Sequence, residues 1–313
     1  MPEPETVIDV RDLRKTYRTP FRRKKVEALR GVTFAVKRGH IFGFVGPNGA
    51  GKTTTIRTLM GLIRPTSGSA TILGHEIPSR AARFKVGFLP ESPYFYDYLT
   101  IEELLDLAGR LFGLDAATRT KRADELIERV GLSRARGQSL KKFSKGMLQR
   151  AGLAQALMND PEVVVLDEPT SGLDPIGRKE VRDLILELRD HGKTVLFSSH
   201  ILTDIEAIAD QVAIVARGAL QSLGTPAELV KRTVLGIDIK VRLAPEVDAA
   251  TLVEGASHVR RTGDELALTL AADGDVDEWL QRAHAVGAKV LAIEPRHETL
   301  EDLFLRRVGS GDS

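Results

Sequence analysis

GPNGAGKTT (46–54) follows the apolar run IFGFV (41–45) and opens a helical pattern. It fits G-x-x-x-x-G-K-[ST], a loop between a strand and a helix that holds a polyphosphate. Glycines lack a Cβ atom, so the backbone can turn tightly and aim its N–H groups inward. With the positive end of the following helix, these donors form an anion site that Lys52 and the Thr53 hydroxyl complete, the latter on Mg²⁺. The stretch predicts a nucleoside triphosphate site.

Composition excludes several other classes of protein. The 45 basic residues nearly cancel the 43 acidic ones, so the net charge gives no case for nucleic-acid binding. The chain has no cysteine, which excludes disulfides and thiolate metal sites. The first ten residues lack a secretory signal pattern, and no apolar run approaches the ~18–20 residues of a membrane span. We therefore expect any membrane link to come through a partner.

Hydrophobic patterning divides the 313 residues into two domains. Strands are predicted at 7–14, 32–37, 163–167, 194–198 and 211–215, and helices at 53–62, 178–188 and 202–209. This alternation predicts an α/β domain over 1–225 with a mainly parallel sheet, into which a helical lobe of about 91–155 is inserted. Strands at 237–243, 259–261, 266–270 and 289–293, with helices at 276–286 and 298–307, predict a small α+β domain over 226–313.

The stretch VVVLDEP (163–169) is an apolar strand that ends in two carboxylates. A buried strand delivers Asp167 and Glu168 to the carboxyl edge of the sheet, where open α/β folds bind ligands. At that edge Asp167 is placed to hold Mg²⁺, and Glu168 to polarise the attacking water. Together with the phosphate loop, these residues predict hydrolysis of the triphosphate.

Three further motifs follow the expected order: FSKGMLQR (143–150), SGLD (171–174) and SSH (198–200). With the phosphate loop and VVVLDEP, they cover roughly 7–223 and resemble the ATP-binding subunits of ABC transporters, which implies an ATPase with a P-loop α/β fold. The resemblance identifies FSKGM with the family signature LSGGQ, SGLD with the D-loop and His200 with the switch histidine at the γ-phosphate. It also implies two subunits closing head-to-tail around two ATP·Mg²⁺, so that each signature meets the partner's ATP.

The motifs and the family resemblance together assign a candidate role to each site residue. Catalytic roles fall to Glu168, His200 and Lys52, and metal binding to Thr53, Asp167 and Glu91. The predicted nucleotide-binding residues are Tyr17, which would stack on adenine, and Gly46, Pro47, Asn48, Gly49, Ala50, Gly51, Lys52, Thr53 and Thr54. The predicted contacts to the partner's ATP are Phe143, Ser144, Lys145, Gly146 and Met147, with Ser144 as the N-cap of a helix beginning near Lys145.

The chain also departs from the family pattern. Lys145 and Met147 replace the second Gly and the Gln of LSGGQ, and Glu91 stands where the Q-loop usually has glutamine. Beside Glu91 lie three of the chain's four tyrosines, Tyr94, Tyr96 and Tyr98. Aromatic side chains in a loop are typical of interfaces, and the family places its membrane subunit here; packing inside the helical lobe is the alternative.

The closing helix resembles the tail of exporters of drugs, antibiotics and lipids. We expect a subunit on the cytoplasmic face of the membrane, bound to a separate permease and to a second copy of itself. The alternatives are a soluble ABC ATPase of DNA repair or translation and a catalytically silent regulatory subunit. The chain has a single motif set and no heptad tract, which opposes a soluble ATPase of repair or translation. Intact Lys52, Ser144, Asp167 and Glu168 oppose a catalytically silent subunit.

Overall fold

The computed structural model describes residues 5–18, 25–230, 234–244, 247 and 249–309. Contacts divide the chain into one compact unit of Met1–Pro226 with Arg307–Ser313 and another of Ala227–Arg306. In its described residues, no helix is long and apolar enough to cross a membrane.

The elements of the first unit follow one another as strands with interspersed helices. In chain order they are β1 (Thr6–Arg18), β2 (Lys25–Lys37), β3 (Ile41–Val45), α1 (Lys52–Leu59), β4 (Ser67–Ile72), β5 (His75–Glu76), α2 (Arg80–Arg83), β6 (Val86–Leu89), α3 (Ile101–Leu111), α4 (Ala116–Arg129), α5 (Lys145–Ala156), β7 (Val163–Asp167), α6 (Pro175–Asp190), β8 (Thr194–Ser199), α7 (Leu202–Ile208), β9 (Gln211–Ala216) and β10 (Ala219–Gly224). Two 3₁₀ turns, Ser133–Ala135 and Leu140–Lys142, precede α5.

A six-stranded sheet forms the centre of the first unit, in the order β10-β9-β3-β8-β7-β6. All neighbours pair in parallel except β10, which is antiparallel to β9 at the edge. Every residue of β3, β7 and β8 is buried, as expected for strands covered on both faces. The predicted mainly parallel sheet is confirmed. Because β3, β8 and β7 are neighbours, the loops that leave their carboxyl ends meet at one place.

A second sheet and a group of helices complete this unit. The second sheet has the order β2-β1-β4-β5 and is antiparallel. Its core joins that of the central sheet, with the ring of Phe34 5.1 Å from that of Phe42 and 5.3 Å from that of Phe44. Helices α3, α4 and α5 pack against one another. The signature segment lies at the start of α5.

The chain continues with α8 (Pro226–Leu229), β11 (Val234–Arg242), α9 (Ala250–Val253), β12 (Ser257–Thr262), β13 (Glu265–Ala271), α10 (Val276–Ala285), β14 (Lys289–His297) and α11 (Leu300–Gly309). The sheet order β12-β13-β11-β14, with every pair antiparallel, is that of a β-α-β-β-α-β ferredoxin-like fold. Trp279 is fully buried in its core, and its indole N–H donates to the carbonyl oxygen of Leu252 at 2.9 Å.

Several predicted boundaries are wrong, for local reasons. Helix α6 begins three residues earlier than predicted, because Oδ1 of Asp174 accepts from the N–H of Gly177 at 2.8 Å and Pro175 fits the first helical position. Helix α1 ends at Leu59 rather than 62, and Gly61 follows with a φ of 65°. Strand β2 begins at Lys25 rather than 32, and β10 was not predicted.

Candidate nucleotide-binding site

The phosphate loop leaves the carboxyl end of β3 and enters α1 at Lys52. Gly49 and Gly51 have φ angles of 80° and 109°, which favour glycine. A Cβ at Gly46 would lie 2.3 Å from the carbonyl oxygen of Val215, so this close approach requires glycine. Gly51 provides no side-chain cap, and the first turn of α1 carries no acidic residue. The first amides of α1 therefore suit an anionic ligand such as a polyphosphate.

The ammonium group of Lys52 is buried within this site, where the residue is 6% exposed. Its Nζ donates to the carbonyl oxygen of Gly46 at 2.6 Å and lies 3.2 Å from Oε1 of Glu168. Burying an ammonium without partners is costly. The Glu168 carboxylate, itself buried, supplies the opposite charge, and these two side chains meet across 116 positions of sequence.

A carboxylate and two hydroxyl groups meet at the end of β7. Oδ1 of Asp167 accepts from the Ser198 hydroxyl at 2.7 Å and from the Thr53 hydroxyl at 3.3 Å. Burial raises the pKa of Asp167; the two hydrogen bonds oppose that rise, and the negative charges of Glu91 and Glu168 add to it. A divalent cation beside this carboxylate would relieve the repulsion.

The donor set fits Mg²⁺. Carboxylate and hydroxyl oxygens are the hard ligands that this ion prefers, and Asp167 and Thr53 already bring one of each within hydrogen-bond distance. Among the described residues, no three acidic or histidine side chains converge as a metal cluster. Asp167 and Thr53 would supply part of the coordination shell, and Mg²⁺ usually keeps several waters in the remaining positions.

Glu168 is held at the turn that follows β7. Its backbone has a φ of 53°, and its N–H donates to the Ser198 hydroxyl at 3.0 Å. Oε2 lies 2.7 Å from Nδ1 of His200 and accepts from the His200 backbone N–H at 3.3 Å. The carboxylate thus lies between Lys52 and His200. The structure brings together the residues to which the sequence assigned catalysis.

Two residues of this arrangement were not predicted. Ser198 joins the carboxylates, donating to Asp167 and accepting from the Glu168 N–H. The amide of Gln149, on α5, is buried and donates to the Glu168 carbonyl oxygen at 3.5 Å. The sequence shows Ser198 as a polar residue at the end of an apolar strand and Gln149 as a polar residue within a helix, and buried polar groups need hydrogen-bond partners. The sequence does not identify those partners, which lie 31 and 19 positions away.

An open cleft of about 540 Å³ surrounds the phosphate loop. It is lined by the loop residues Pro47 to Thr54, by Glu91 and Glu168, and by Tyr17, Val26, Glu27 and Ala28. Tyr17 is 42% exposed, and Nζ of Lys15 lies 5.1 Å from its ring centroid. Such a volume suits a small ligand. Tyr17 and Glu91, which the sequence predicted at this site, are both on its wall.

The signature segment begins α5, as predicted. Ser144 is the N-cap, and its hydroxyl accepts from the N–H of Met147 at 3.2 Å. Phe143 is buried, whereas Ser144 and Lys145 are exposed. A second cavity is lined by Gly146 and Met147 together with residues of the D-loop, Gly172, Leu173 and Asp174.

The signature and the phosphate loop belong to different surfaces of the chain. Among the described residues, none of 143–147 lines the cleft around the phosphate loop. The D-loop connects the two surfaces, because the Ser171 N–H donates to the Glu168 carbonyl oxygen at 3.0 Å while Gly172 lies beside the signature. The predicted site residues therefore form two groups, one around the phosphate loop and one at the start of α5.

The tyrosines that follow Glu91 face outward. Tyr94, Tyr96 and Tyr98 are 94%, 58% and 70% exposed, and the rings of the latter two lie 5.7 Å apart. Phe95 instead packs inward, since a Cβ at Gly152 of α5 would lie 3.5 Å from its ring. Packing of these tyrosines inside the helical lobe, the alternative left open by the sequence, is therefore wrong.

The chain is similar to known ATP-binding subunits over nearly its whole length. A family model described as ABC transporter matches residues 29–171. An uncharacterized ABC transporter ATP-binding protein of Synechocystis sp. is 42% identical over 96% of this chain and 84% of that relative. The bacitracin transport ATP-binding protein of Bacillus licheniformis is 36% identical over 98% of each chain.

Solved structures agree with the sequence comparison. An ATP-binding subunit of an ABC transporter, 32% identical, superposes with a TM-score of 0.64 over 71% of this chain and 91% of that one. A dimeric bacterial ABC transporter cassette, 25% identical, gives 0.65 over 70% and 98%. The chain belongs to the ABC transporter family, as an ATP-binding subunit with the ATPase fold.

Proposed function

We propose that this subunit hydrolyses ATP in a head-to-tail pair with a second copy and thereby powers an exporter through a separate membrane subunit. The observation that carries the proposal is the division of the predicted site residues into two groups. Lys52 and Glu168 line the cleft, with Asp167 hydrogen-bonded to Thr53 of its wall, whereas Gly146 and Met147 line a second cavity with the D-loop. A second copy that places its signature over the cleft would complete the site.

In this proposal the cleft binds ATP through groups of known position. The loop amides and Lys52 hold the phosphates, and Tyr17 stacks on the adenine. Thr53, Asp167 and Glu91 provide oxygen ligands or bind water for Mg²⁺, which when bound neutralises phosphate charge and orients the γ-phosphate. The signature residues Phe143, Ser144, Lys145, Gly146 and Met147 act on the ATP of the partner.

Glu168 accepts the proton of the attacking water in this scheme. Its carboxylate lies within reach of Lys52 and His200, so a shift of Lys52 to the phosphate frees one oxygen while His200 steadies the other. The buried setting of Glu168 at the carboxyl end of β7 fixes the direction of its side chain. General-base help of this kind contributes roughly 10²- to 10⁴-fold to a rate.

Export and membrane attachment rest on the relatives and on the exposed tyrosines. Proteins named for bacitracin transport, linearmycin resistance and Nod factor export are 34–36% identical to this chain. The surface formed by Tyr94, Tyr96 and Tyr98 supplies amphipathic side chains for a permease on the cytoplasmic side of the membrane. We assign 1–225 to the ATP-binding domain, with its helical lobe at about 91–155, and 226–313 to an accessory domain.

The proposal is tested with the purified chain and with native membranes. The chain should hydrolyse ATP in the presence of Mg²⁺, and Lys52→Ala should lower the rate at least ~10²-fold. An affinity-tagged copy should retain a multi-spanning membrane protein through purification in detergent. A chain that binds no ATP, or that is recovered without any membrane protein, would contradict the respective half of the proposal.

A further inference from the structure

Lys145 is a positive charge at the start of α5 for which the described residues provide no counter-charge. It is the first residue of the helix and is exposed. Its side chain lies along the D-loop: a Cβ added at Gly172 would lie 2.8 Å from both Cε and Nζ of Lys145. Gly172 has a φ of 73°, which favours glycine, and the absence of a Cβ leaves room for the lysine side chain. Within the described part of the chain, no carboxylate pairs with Lys145.

The cleft around the phosphate loop has an excess of negatively charged side chains. Glu27, Glu91 and Glu168 line it, and Lys52 is the one cationic residue among its lining residues that the structure describes. Lys52 already lies 3.2 Å from Glu168. The charge of Glu91 acts on the buried Asp167 as well. The side chains that line this cleft therefore carry more negative than positive formal charge.

We propose that Lys145 of one copy supplies a cation to the phosphate site of the other and so compensates for Glu91. This rests on the head-to-tail pair proposed above. The signature surface carries Lys145 beside Ser144, and a lysine side chain is long and flexible enough to leave Gly172 for a phosphate oxygen. The two departures from the family motifs, an extra acid in the cleft and an extra base in the signature, then balance within one composite site.

A double-mutant cycle tests the compensation. Lys145→Ala should lower kcat/KM for ATP by about tenfold, because a charge-assisted contact to phosphate is lost in a partly desolvated site. In the Glu91→Gln background the same substitution should cost less than about threefold, since less negative charge remains to be offset. Lys145→Arg should retain at least about a third of the activity by keeping the charge.

Lys179→Ala is the matched control. Lys179 is an exposed lysine on α6, the helix that follows the D-loop, and its loss changes the net charge by the same amount. It should alter kcat/KM by less than about twofold. If Lys145→Ala behaves like Lys179→Ala, the contact to phosphate is wrong. If Lys145→Ala is equally harmful with Glu91 and with Gln at position 91, the compensation is wrong.

A disulfide test establishes whether Lys145 acts on the other copy. The chain has no cysteine, so single cysteines report without interference. Lys145→Cys and Asn48→Cys chains, each also carrying Glu168→Gln and tags of different size, are mixed and oxidised with and without ATP and Mg²⁺. A cross-linked pair of mixed size should form with ATP, and Lys179→Cys should not replace Lys145→Cys in it. Absence of this product overturns the assignment to the partner.

Failure of this inference is distinguishable from failure of the proposed function. A wild-type chain that hydrolyses ATP and loses activity on Lys52→Ala supports the proposed ATPase whatever Lys145 does. Normal ATPase with an inert Lys145→Ala rejects the inference alone. Absence of ATPase in the wild-type chain would reject both.

Discussion

Replacing Glu168 by Gln should separate ATP binding from ATP hydrolysis in this protein. The carboxylate pairs with Lys52 at 3.2 Å and with Nδ1 of His200 at 2.7 Å, all near the phosphate loop. Gln has nearly the same shape but neither a charge nor useful basicity. Turnover should therefore fall at least ~10²-fold, the lower end of the contribution of a general base.

The same substitution should tighten ATP binding. To reach a phosphate, Lys52 must exchange Glu168 for a phosphate oxygen. The direct attraction of two unit charges at 3.2 Å is about 5 kcal/mol at an effective dielectric constant near 20, an upper bound that desolvation largely offsets. We expect about 1 to 2 kcal/mol to remain, which corresponds to roughly five- to thirtyfold tighter binding.

Calorimetric titration with ATP and Mg²⁺ and a steady-state ATPase assay give the two quantities separately. Glu162→Gln is the control. Glu162 directly precedes β7, whereas Glu168 follows it, and Glu162 pairs with Arg38 and Lys85 rather than with Lys52. It should change neither quantity by more than about twofold. Near-normal turnover of the Glu168 variant would remove this residue from the role of base. Slow turnover with unchanged or weaker ATP binding would refute the idea that Lys52 exchanges Glu168 for a phosphate oxygen.

Three further predictions concern other parts of the chain. Replacing the exposed tyrosines Tyr94, Tyr96 and Tyr98 together by Ser should spare the ATPase activity of the isolated subunit but weaken co-purification of the membrane partner; loss of folding or of basal activity would contradict a docking role. Lys52→Ala and Ser144→Arg, each inactive alone, should recover about a quarter of normal activity when mixed, because half of freely exchanged dimers contain one intact site; with single-site competence established, a mixture no better than its parents would rule out the head-to-tail pair. The Lys85 and Arg38 hydrogen bonds lower the pKa of Glu162, so its stabilising effect is complete above the ordinary carboxyl pKa and is lost as pH falls through the lowered value. Urea unfolding should show Glu162→Gln less stable by at most ~1 kcal/mol at pH 7, and the difference should shrink as the pH falls below the ordinary carboxyl pKa.

The parts of the fold that the sequence predicted depend on short-range patterns. The phosphate loop, the apolar strand before Asp167 and the Ser144 cap are each determined by residues within a few positions of one another. Boundaries failed where a second local signal competed: Asp174 followed by Pro175 marks a helix start, yet it also belongs to the D-loop motif. The predicted strand at 32–37 lacked the first half of β2, which pairs with β1; the sequence of one strand does not reveal such pairing.

The contacts among the site residues could not be predicted from the sequence, for a different reason. Motifs place Lys52, Asp167, Glu168 and His200 at one edge of the sheet, but they do not say how these groups satisfy one another. Buried charges must be paired or hydrogen-bonded, and the structure solves this internally: Glu168 joins Lys52 to His200, while Ser198 links Asp167 to the backbone of Glu168. Lys52, His200 and Asp167, which these contacts occupy, are groups that ATP or Mg²⁺ would engage. At these side chains, binding must therefore exchange existing partners, which makes the affinity of this site sensitive to the same carboxylates that its chemistry requires.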